Sequence, residues 1–150
     1  MKKLVCAVFL TAAAAATSSQ IEIFSAKNIT GIWDTISHKG TPYSAQELAR
    51  YPSSYITVAY REGDGVPEEH DTESAIFVIQ SGQASILMGG QIADPQSPSP
   101  GEVRGTKISG GERRKIGPGD VVHLPAGVPY QVFVDKSTPI RYLVVKVKEH

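Results

Sequence analysis

The fold is predicted from two stretches: residues 63–82, GDGVPEEHDTESAIFVIQSG, and residues 117–134, GPGDVVHLPAGVPYQVFV. In the first, a Gly-Asp-Gly turn and several charged residues lead into a nearly continuous apolar run, which is typical of a strand covered on both faces. In the second, a Gly-Pro-Gly turn and a Pro-Ala-Gly turn precede two short apolar segments. Short strands punctuated by glycine and proline turns predict a β-sandwich or β-barrel.

The same pattern continues on both sides of these stretches. Residues 55–60 alternate with a period of two, as expected for a strand. The Pro-rich segment 93–104 interrupts the pattern, and we expect a surface loop there because strand signals resume beyond it. No long amphipathic helix competes, so the predicted fold class is all-β. The strands are expected at 55–60, 74–80, 83–88, 112–116, 121–124, 130–134 and 140–147.

One short helix is predicted ahead of the strands, over residues 42–50. Ser44 can cap its first turn, and Glu47, three residues later, completes a capping box. Pro52 ends the segment, because the residue before a proline avoids the helical region. We therefore expect a short N-terminal helix packed beside an all-β domain.

The composition excludes some classes of partner. A chain of 150 residues suits one domain, and its 15 basic residues equal its 15 acidic residues. No basic excess favours nucleic acid, so no nucleic-acid partner is expected. A soluble globular protein is indicated instead.

The first residues form a pattern typical of a secretory signal peptide. Lys2 and Lys3 precede a short apolar run, and an alanine run follows, which predicts cleavage after Ala16 or up to about residue 20. The only cysteine, Cys6, lies in this segment, so the mature chain would carry no thiol. We expect a secreted or periplasmic protein with no membrane attachment after processing. The predicted division is signal peptide 1–16, N-terminal arm with the short helix 17–53, and barrel 54–147.

The two opening stretches resemble the paired motifs of the cupin superfamily. The first motif ends in a glycine, and placing that glycine at Gly82 gives an intact frame. The second motif is matched by Gly119, Pro125 and Gly127. Residues 99–105, SPGEVRG, also resemble a loop found before the second motif in some secreted cupins. The resemblance implies a β-barrel of the double-stranded β-helix or jelly-roll type, and a homodimer.

The resemblance also implies a metal site, but its usual ligands are changed. The four ligand positions fall on Glu68, His70, Ala75 and Tyr130, of which His70 alone carries the expected residue. Glu68 and His70 are two residues apart, so on a strand they point the same way. His123 is a further candidate, although the turn before Tyr130 leaves its direction open. If a metal binds to Glu68, His70, His123 and Tyr130, then iron, manganese, copper or zinc are the candidates.

Three functions remain open from the sequence. The first is an enzyme, either a metal-dependent oxygenase or isomerase, or a metal-free isomerase or cyclase in which His70, Tyr130 and Glu68 supply acid–base groups. The second is a non-catalytic module that binds a small molecule. The third is a structural protein whose barrel mainly dimerises. We expect a small-molecule substrate or ligand in each of the first two cases.

Overall fold

The computed structural model describes residues 21–37 and 39–149. The predicted signal peptide, residues 1–16, lies outside the described residues. No helix in the described part of the chain is long and apolar enough to span a membrane.

Strands make up most of the described chain, and one helix, α1, spans Ala26–Ile36. The all-β prediction is therefore confirmed. The strands are β1 Tyr43–Arg50, β2 Ser54–Arg61, β3 Glu68–His70, β4 Glu73–Ser81, β5 Ala84–Met88, β6 Gln91–Ala93, β7 Gln96–Ser99, β8 Glu102–Arg104, β9 Lys107–Ser109, β10 Glu112–Ile116, β11 Val121–Leu124, β12 Tyr130–Phe133 and β13 Ile140–Lys148.

The strands form two main sheets. The order in the five-stranded sheet is β1-β2-β13-β4-β11, and in the six-stranded sheet it is β10-β5-β12-β3-β8-β7. Strands β6 and β9 form a separate two-stranded sheet. The main buried cluster takes residues from both large sheets, for example Phe77 and Tyr142 from one, and Ile86 and Val132 from the other. The core thus lies between two sheets, as in a sandwich or barrel.

Strand β13 determines which side chains enter this interior. It lies between β2 and β4 and pairs antiparallel with both. Its buried residues alternate along the strand, because successive side chains point to opposite faces. The buried set is Ile140, Tyr142, Val144 and Lys146. A lysine therefore ends a row of interior-facing residues.

The predicted helix over residues 42–50 is wrong. This segment is strand β1, which pairs with β2 along its length and contains a bulge between Glu47 and Ala49. Ser44 does not cap a helix; it is buried, and its hydroxyl hydrogen-bonds to that of Thr41 at 2.8 Å. Pairing with a neighbouring strand outweighs the local capping preference, which is worth only about 1 kcal/mol.

The helix lies earlier in the chain. Helix α1 begins after Ser25, whose side chain accepts a hydrogen bond from the backbone N–H of Asn28. One face of α1 packs against the outer face of β2, and the Trp33 indole donates to the carbonyl of Ala59 at 2.9 Å. The packed residues follow the i, i+3, i+4, i+7 spacing of an amphipathic helix. They are Ile29, Ile32, Trp33 and Ile36.

The motif glycine Gly82 is required by the fold. It directly follows β4 and has a φ of +79°, in the left-handed region that favours glycine. A Cβ at this position would lie 2.0 Å from the carbonyl oxygen of Pro139. A side chain here would therefore push apart the two segments that join at this end of the five-stranded sheet.

Candidate active site

A cavity of about 240 Å³ lies between the two large sheets. This is slightly below the usual range for ligand pockets, about 300–1,000 Å³, so it suits a small molecule. Polar and charged side chains enter it from both sheets. The six-stranded sheet contributes Glu68, His70, Arg104 and Tyr130, and the five-stranded sheet contributes Tyr43, Tyr55, Arg61, Tyr142 and Lys146.

Three of the four predicted site residues meet in this cavity. Glu68 and His70 lie on β3, two residues apart, and both line the cavity. Tyr130 on β12 pairs directly with Glu68 across the sheet, and its ring centroid lies 6.5 Å from that of His70. The backbone also fixes β3, because the N–H of Gly127 donates to the carbonyl of His70 at 2.8 Å. The motif frame and strand parity thus predict the placement of these three residues.

His123 lies apart from them. It is exposed on β11 and pairs with Ile76, while the adjacent Leu124 pairs with the buried Ala75. Since alternate residues face opposite sides of a sheet, His123 points away from the interior. It borders a different surface depression, beside Val121 and Val122.

The charges of the six-stranded sheet are paired with one another. Arg104 contacts the Glu68 carboxylate at 2.7 Å and also pairs with Glu102. The Nε2 atom of His70 lies 3.5 Å from the same Glu68 carboxylate. Burial acts to raise the pKa of Glu68, but the His70 hydrogen bond and the charge of Arg104 outweigh it and lower this pKa below 4.5. Glu68 is therefore an anion held between two donors.

The tyrosines of the cavity remain protonated hydrogen-bond donors. Burial, followed by the nearby Glu68 carboxylate, raises the pKa of Tyr130 well above 10. Burial and the charge of Glu73 raise the pKa of Tyr55 to about 12. Burial also raises the pKa of Tyr142, although the Arg61 guanidinium offsets part of that effect. Phenols in this state can stabilise a developing oxyanion by donating to it.

The cations of the five-stranded sheet lack such partners. Arg61 and Lys146 are both more than nine-tenths buried. Within the described residues neither forms an ion pair, and Nε of Arg61 and Nζ of Lys146 have no hydrogen-bond partner. Burial lowers the pKa of Lys146 below 10.5, because it disfavours the charged ammonium. These two groups are the unsatisfied charges of the cavity.

The donors in the cavity do not fit the metal that the family resemblance implies. Among the described residues, no three His, Cys, Asp or Glu side chains come together as a metal-binding group. The Glu68 carboxylate is engaged by Arg104, and the raised pKa of Tyr130 opposes the phenolate form that would bind a metal. Ala75 offers no ligand, and Lys146 pairs with it across the sheet, which brings a positive charge beside the vacant ligand position.

Sequence reasoning missed three charged residues of the cavity. Arg104 belongs to segment 99–105, which resembles a loop of some secreted cupins, but its pairing with Glu68 follows from the register of β8 against β3. Arg61 and Lys146 each end an apolar strand. Arg61 lies on the same strand face as Ala59, and Lys146 on the same face as Tyr142, so the alternation along each strand could have indicated that both side chains point into the interior. Both faces of these strands are apolar, however, so periodicity alone does not identify the interior face.

Solved structures support the fold. The cupin domain of Cnp3 from Schizosaccharomyces pombe matches 73% of this chain and 66% of its own, with TM-score 0.56 and 11% identity. KdgF from Halomonas sp. matches 73% and 81%, with TM-score 0.54 and 14% identity. The DMSP lyase DddQ from Ruegeria pomeroyi matches 71% and 47%, with TM-score 0.51 and 22% identity. No protein-family model and no curated protein matches the sequence.

These matches, together with the motif frame, identify the fold. The chain has the cupin fold, as the sequence motifs predict. At these identities the likeness concerns the fold alone, because one fold carries many different activities. Any activity of this chain therefore depends on the residues of its own cavity.

Proposed function

We propose that this protein is an enzyme that rearranges a small organic molecule by acid–base chemistry, without a bound metal. One observation carries the proposal: a histidine–carboxylate pair, His70 and Glu68, lies beside a protonated tyrosine, Tyr130, in one small cavity. A base, a group that orients it and a hydrogen-bond donor are the parts that general acid–base catalysis requires. The fold is compatible with this chemistry, since a DMSP lyase shares it.

The proposed reaction begins with removal of a proton from a carbon next to a carbonyl group. His70 takes the proton, and the Glu68 carboxylate stabilises the imidazolium that forms. The electron pair of the broken C–H bond moves onto the carbonyl oxygen, and the Tyr130 hydroxyl donates a hydrogen bond to the resulting enolate. Return of the proton to another carbon gives isomerisation. Expulsion of a leaving group gives a lyase reaction, and attack on a second carbonyl gives cyclisation.

Proton exchange with solvent tests this step before the natural substrate is known. Small 2-oxo and 3-oxo acids are incubated with the protein in D₂O, and loss of the acidic C–H signal is followed by ¹H NMR. We expect exchange with at least one compound, and a roughly 10²- to 10⁴-fold slower rate for His70→Gln. His123→Gln is the matched control, because the same change at an exposed position should leave the rate unaltered.

Two results would contradict the proposal. Equal rates for His70→Gln and His123→Gln would remove His70 from the reaction. Activity that is lost on dialysis against a chelator and returns only with added metal would show that the reaction is metal-dependent after all.

A non-catalytic binding protein is the second candidate, and the unpaired cations Arg61 and Lys146 favour it, since they suit ligand capture without chemistry. Tight binding with no proton exchange for any ligand that binds would select this function. Either function could operate as the homodimer that the family resemblance implies, and light scattering of the purified protein tests that prediction.

We further propose that the protein works outside the cytoplasm. The support is the N-terminal pattern of two lysines, a short apolar run and an alanine run. N-terminal sequencing of the protein purified from its native cells should give a start after residue 16, or up to about residue 20. Recovery of Met1 would contradict export by a cleaved signal.

A further inference from the structure

The unpaired cations of the five-stranded sheet indicate what the cavity binds. Arg61 is 9% exposed and Lys146 is 7% exposed. Buried charges in proteins are normally paired or hydrogen-bonded, because desolvation of an isolated charge is costly. In the described part of the chain, Nε of Arg61 and Nζ of Lys146 have no such partner. An anion that enters the cavity would supply the missing counter-charge.

The two cations reach the cavity from opposite ends. Arg61 closes β2 and pairs with Ile140 at the start of β13, whereas Lys146 lies near the other end of β13 and pairs with Tyr55. Six residues of strand separate the two levels, which corresponds to roughly 20 Å between backbone positions. Both long side chains nevertheless line the same cavity. They therefore enter it from its two ends.

An aromatic ring and small residues lie beside the two cations. The Arg61 guanidinium lies 4.6 Å from the centroid of the Tyr43 ring. Gly65 packs so closely against it that a Cβ there would lie 3.0 Å from a terminal guanidinium nitrogen, so a side chain at this position would displace the guanidinium. At the other end, the cross-strand neighbour of Lys146 on β4 is the small residue Ala75.

Glu68 acts electrostatically on both cations, but its close contacts are with other groups. Glu68 is the one carboxylate among the residues that line it, and Glu68 is held by Arg104 and His70. Arg104 itself is paired twice, with Glu68 and Glu102. The cavity thus presents to a ligand two cations that have no ion-pair partner among the described residues, and the acid–base group lies on the opposite wall.

We propose that the cavity binds a small dicarboxylate, with one carboxylate on the Arg61 guanidinium and the other on the Lys146 ammonium. A guanidinium presents two parallel N–H donors that match a carboxylate. Because the backbone positions that carry the two cations are roughly 20 Å apart, we expect a dicarboxylate to bridge them better than a single small anion such as inorganic phosphate. This inference rests on the proposed function and names its substrate class: a dicarboxylate held at both ends would bring its central carbons beside His70.

Calorimetric titration with a matched ligand series tests the inference. The protein is titrated at pH 7 with malonate, succinate, glutarate and adipate. The best of these is then compared with its monoamide, its diamide and inorganic phosphate. We expect one chain length to bind best. Conversion of one carboxylate to an amide should weaken binding at least tenfold, and the diamide should show no measurable binding.

Variants locate the site. Arg61→Met and Lys146→Met should each weaken binding of the dicarboxylate at least tenfold, while Arg61→Lys should weaken it by loss of the two parallel donors. The matched controls are Arg114→Met and Lys115→Met, which change the same residue types on the exposed strand β10 and should bind within twofold of wild type. Thermal unfolding of every variant shows that the fold is retained.

Several outcomes would overturn the inference. Equal binding of the diamide would exclude charge recognition. If the monoamide binds as tightly as the dicarboxylate, only one of the two cations takes part in binding. If phosphate binds as tightly, the ligand does not bridge both cations. The binding result is independent of the proton-exchange assay. Dicarboxylate binding without proton exchange contradicts the proposed enzyme activity but supports this binding site. Proton exchange without dicarboxylate binding supports the enzyme activity but contradicts this binding site.

Discussion

The two walls of the cavity treat buried charge in opposite ways. On the six-stranded sheet, Arg104 neutralises Glu68, and His70 lies beside the same carboxylate. On the five-stranded sheet, Arg61 and Lys146 are more deeply buried and have no ion-pair partner among the described residues. The charges of the six-stranded sheet therefore balance one another without a ligand. The cations of the five-stranded sheet gain an ion-pair partner only when an anion binds.

This difference separates two tasks. Groups that perform proton transfer need a fixed orientation before the substrate arrives, and a network of hydrogen bonds supplies it. Groups that attract a charged substrate are most effective when no internal carboxylate competes for them. We infer that the six-stranded wall performs the chemistry and the five-stranded wall selects the ligand.

The largest expected effect concerns metal affinity. Ala75→Glu with Tyr130→His restores two of the family's usual ligand types, but the new carboxylate would pair with Lys146 across the sheet. Adding Lys146→Met removes that competitor. At an effective dielectric constant of about 20, repulsion between a unit charge and a divalent cation within about 10 Å is at least about 3 kcal/mol, so the triple variant should bind zinc at least roughly 100-fold more tightly than the double variant.

Zinc content after identical dialysis, followed by competition with a chelator, measures this gain. Equal affinities for the two variants would show that Lys146 does not oppose a cation at this place. If neither variant holds more metal than wild type, the alignment of the cupin ligand positions onto Ala75 and Tyr130 is wrong.

The next largest effect is a loss of protein stability when the charge network of the six-stranded sheet is broken. Glu68→Gln removes the carboxylate that Arg104 and His70 share; because Arg104 keeps its pair with Glu102 and is about a third exposed, the loss should be about 2 kcal/mol. Urea unfolding at pH 7 measures it. Glu112→Gln, which breaks an exposed pair with Arg114, is the control and should cost less than about 1 kcal/mol. Similar losses of unfolding free energy for both variants would show that the Glu68 network stabilises the fold no more than an exposed ion pair does.

The pH dependence of this loss has a definite sign. Because the pKa of Glu68 is lower in the folded protein, its contribution is fully present above the ordinary value of 4.5 and disappears as pH falls through the folded pKa. The difference in unfolding free energy between wild type and Glu68→Gln should therefore shrink below about pH 4.5. A constant difference down to pH 3 would contradict the lowered pKa.

The smallest effect is a gain in protein stability when an unpaired cation of the five-stranded sheet is removed. Lys146→Met removes a buried unpaired amine and should stabilise the free protein by about 1–2 kcal/mol at pH 7. The lowered pKa of Lys146 means that wild type itself becomes more stable as pH rises toward 10.5, so the gain should shrink over that interval. The nearby charges of Glu68, Glu73, Arg104 and Glu102 are unchanged by the variant.

Thermal unfolding at pH 7 and pH 10 tests this prediction, with Lys115→Met as the exposed control. A Lys146→Met protein less stable than wild type at pH 7 would show that the amine has a stabilising partner. In that case the contrast between the two walls would not hold.

Local sequence patterns predicted the fold and three residues of the candidate site, Glu68, His70 and Tyr130. The glycine and proline frame predicted the cupin-like barrel, since turns such as that at Gly82 admit no side chain. The spacing of Glu68 and His70 on one strand predicted that they share a face, and the second motif predicted Tyr130 opposite them. These inferences depend on local geometry, which neighbouring residues in the chain suffice to define.

The other features of the fold and the site depend on contacts between residues that are distant in the sequence. Segment 43–50 has a capping signal but forms a strand, because pairing with β2 contributes more than a local cap. His123 faces outward, and Arg61 and Lys146 face inward, as a result of strand register and of which sheet face is covered. Strands β2 and β13 are apolar on both faces, so their sequences do not mark the inner one. The charge left unpaired in the cavity is set by partners distant in sequence, which only the folded chain brings together.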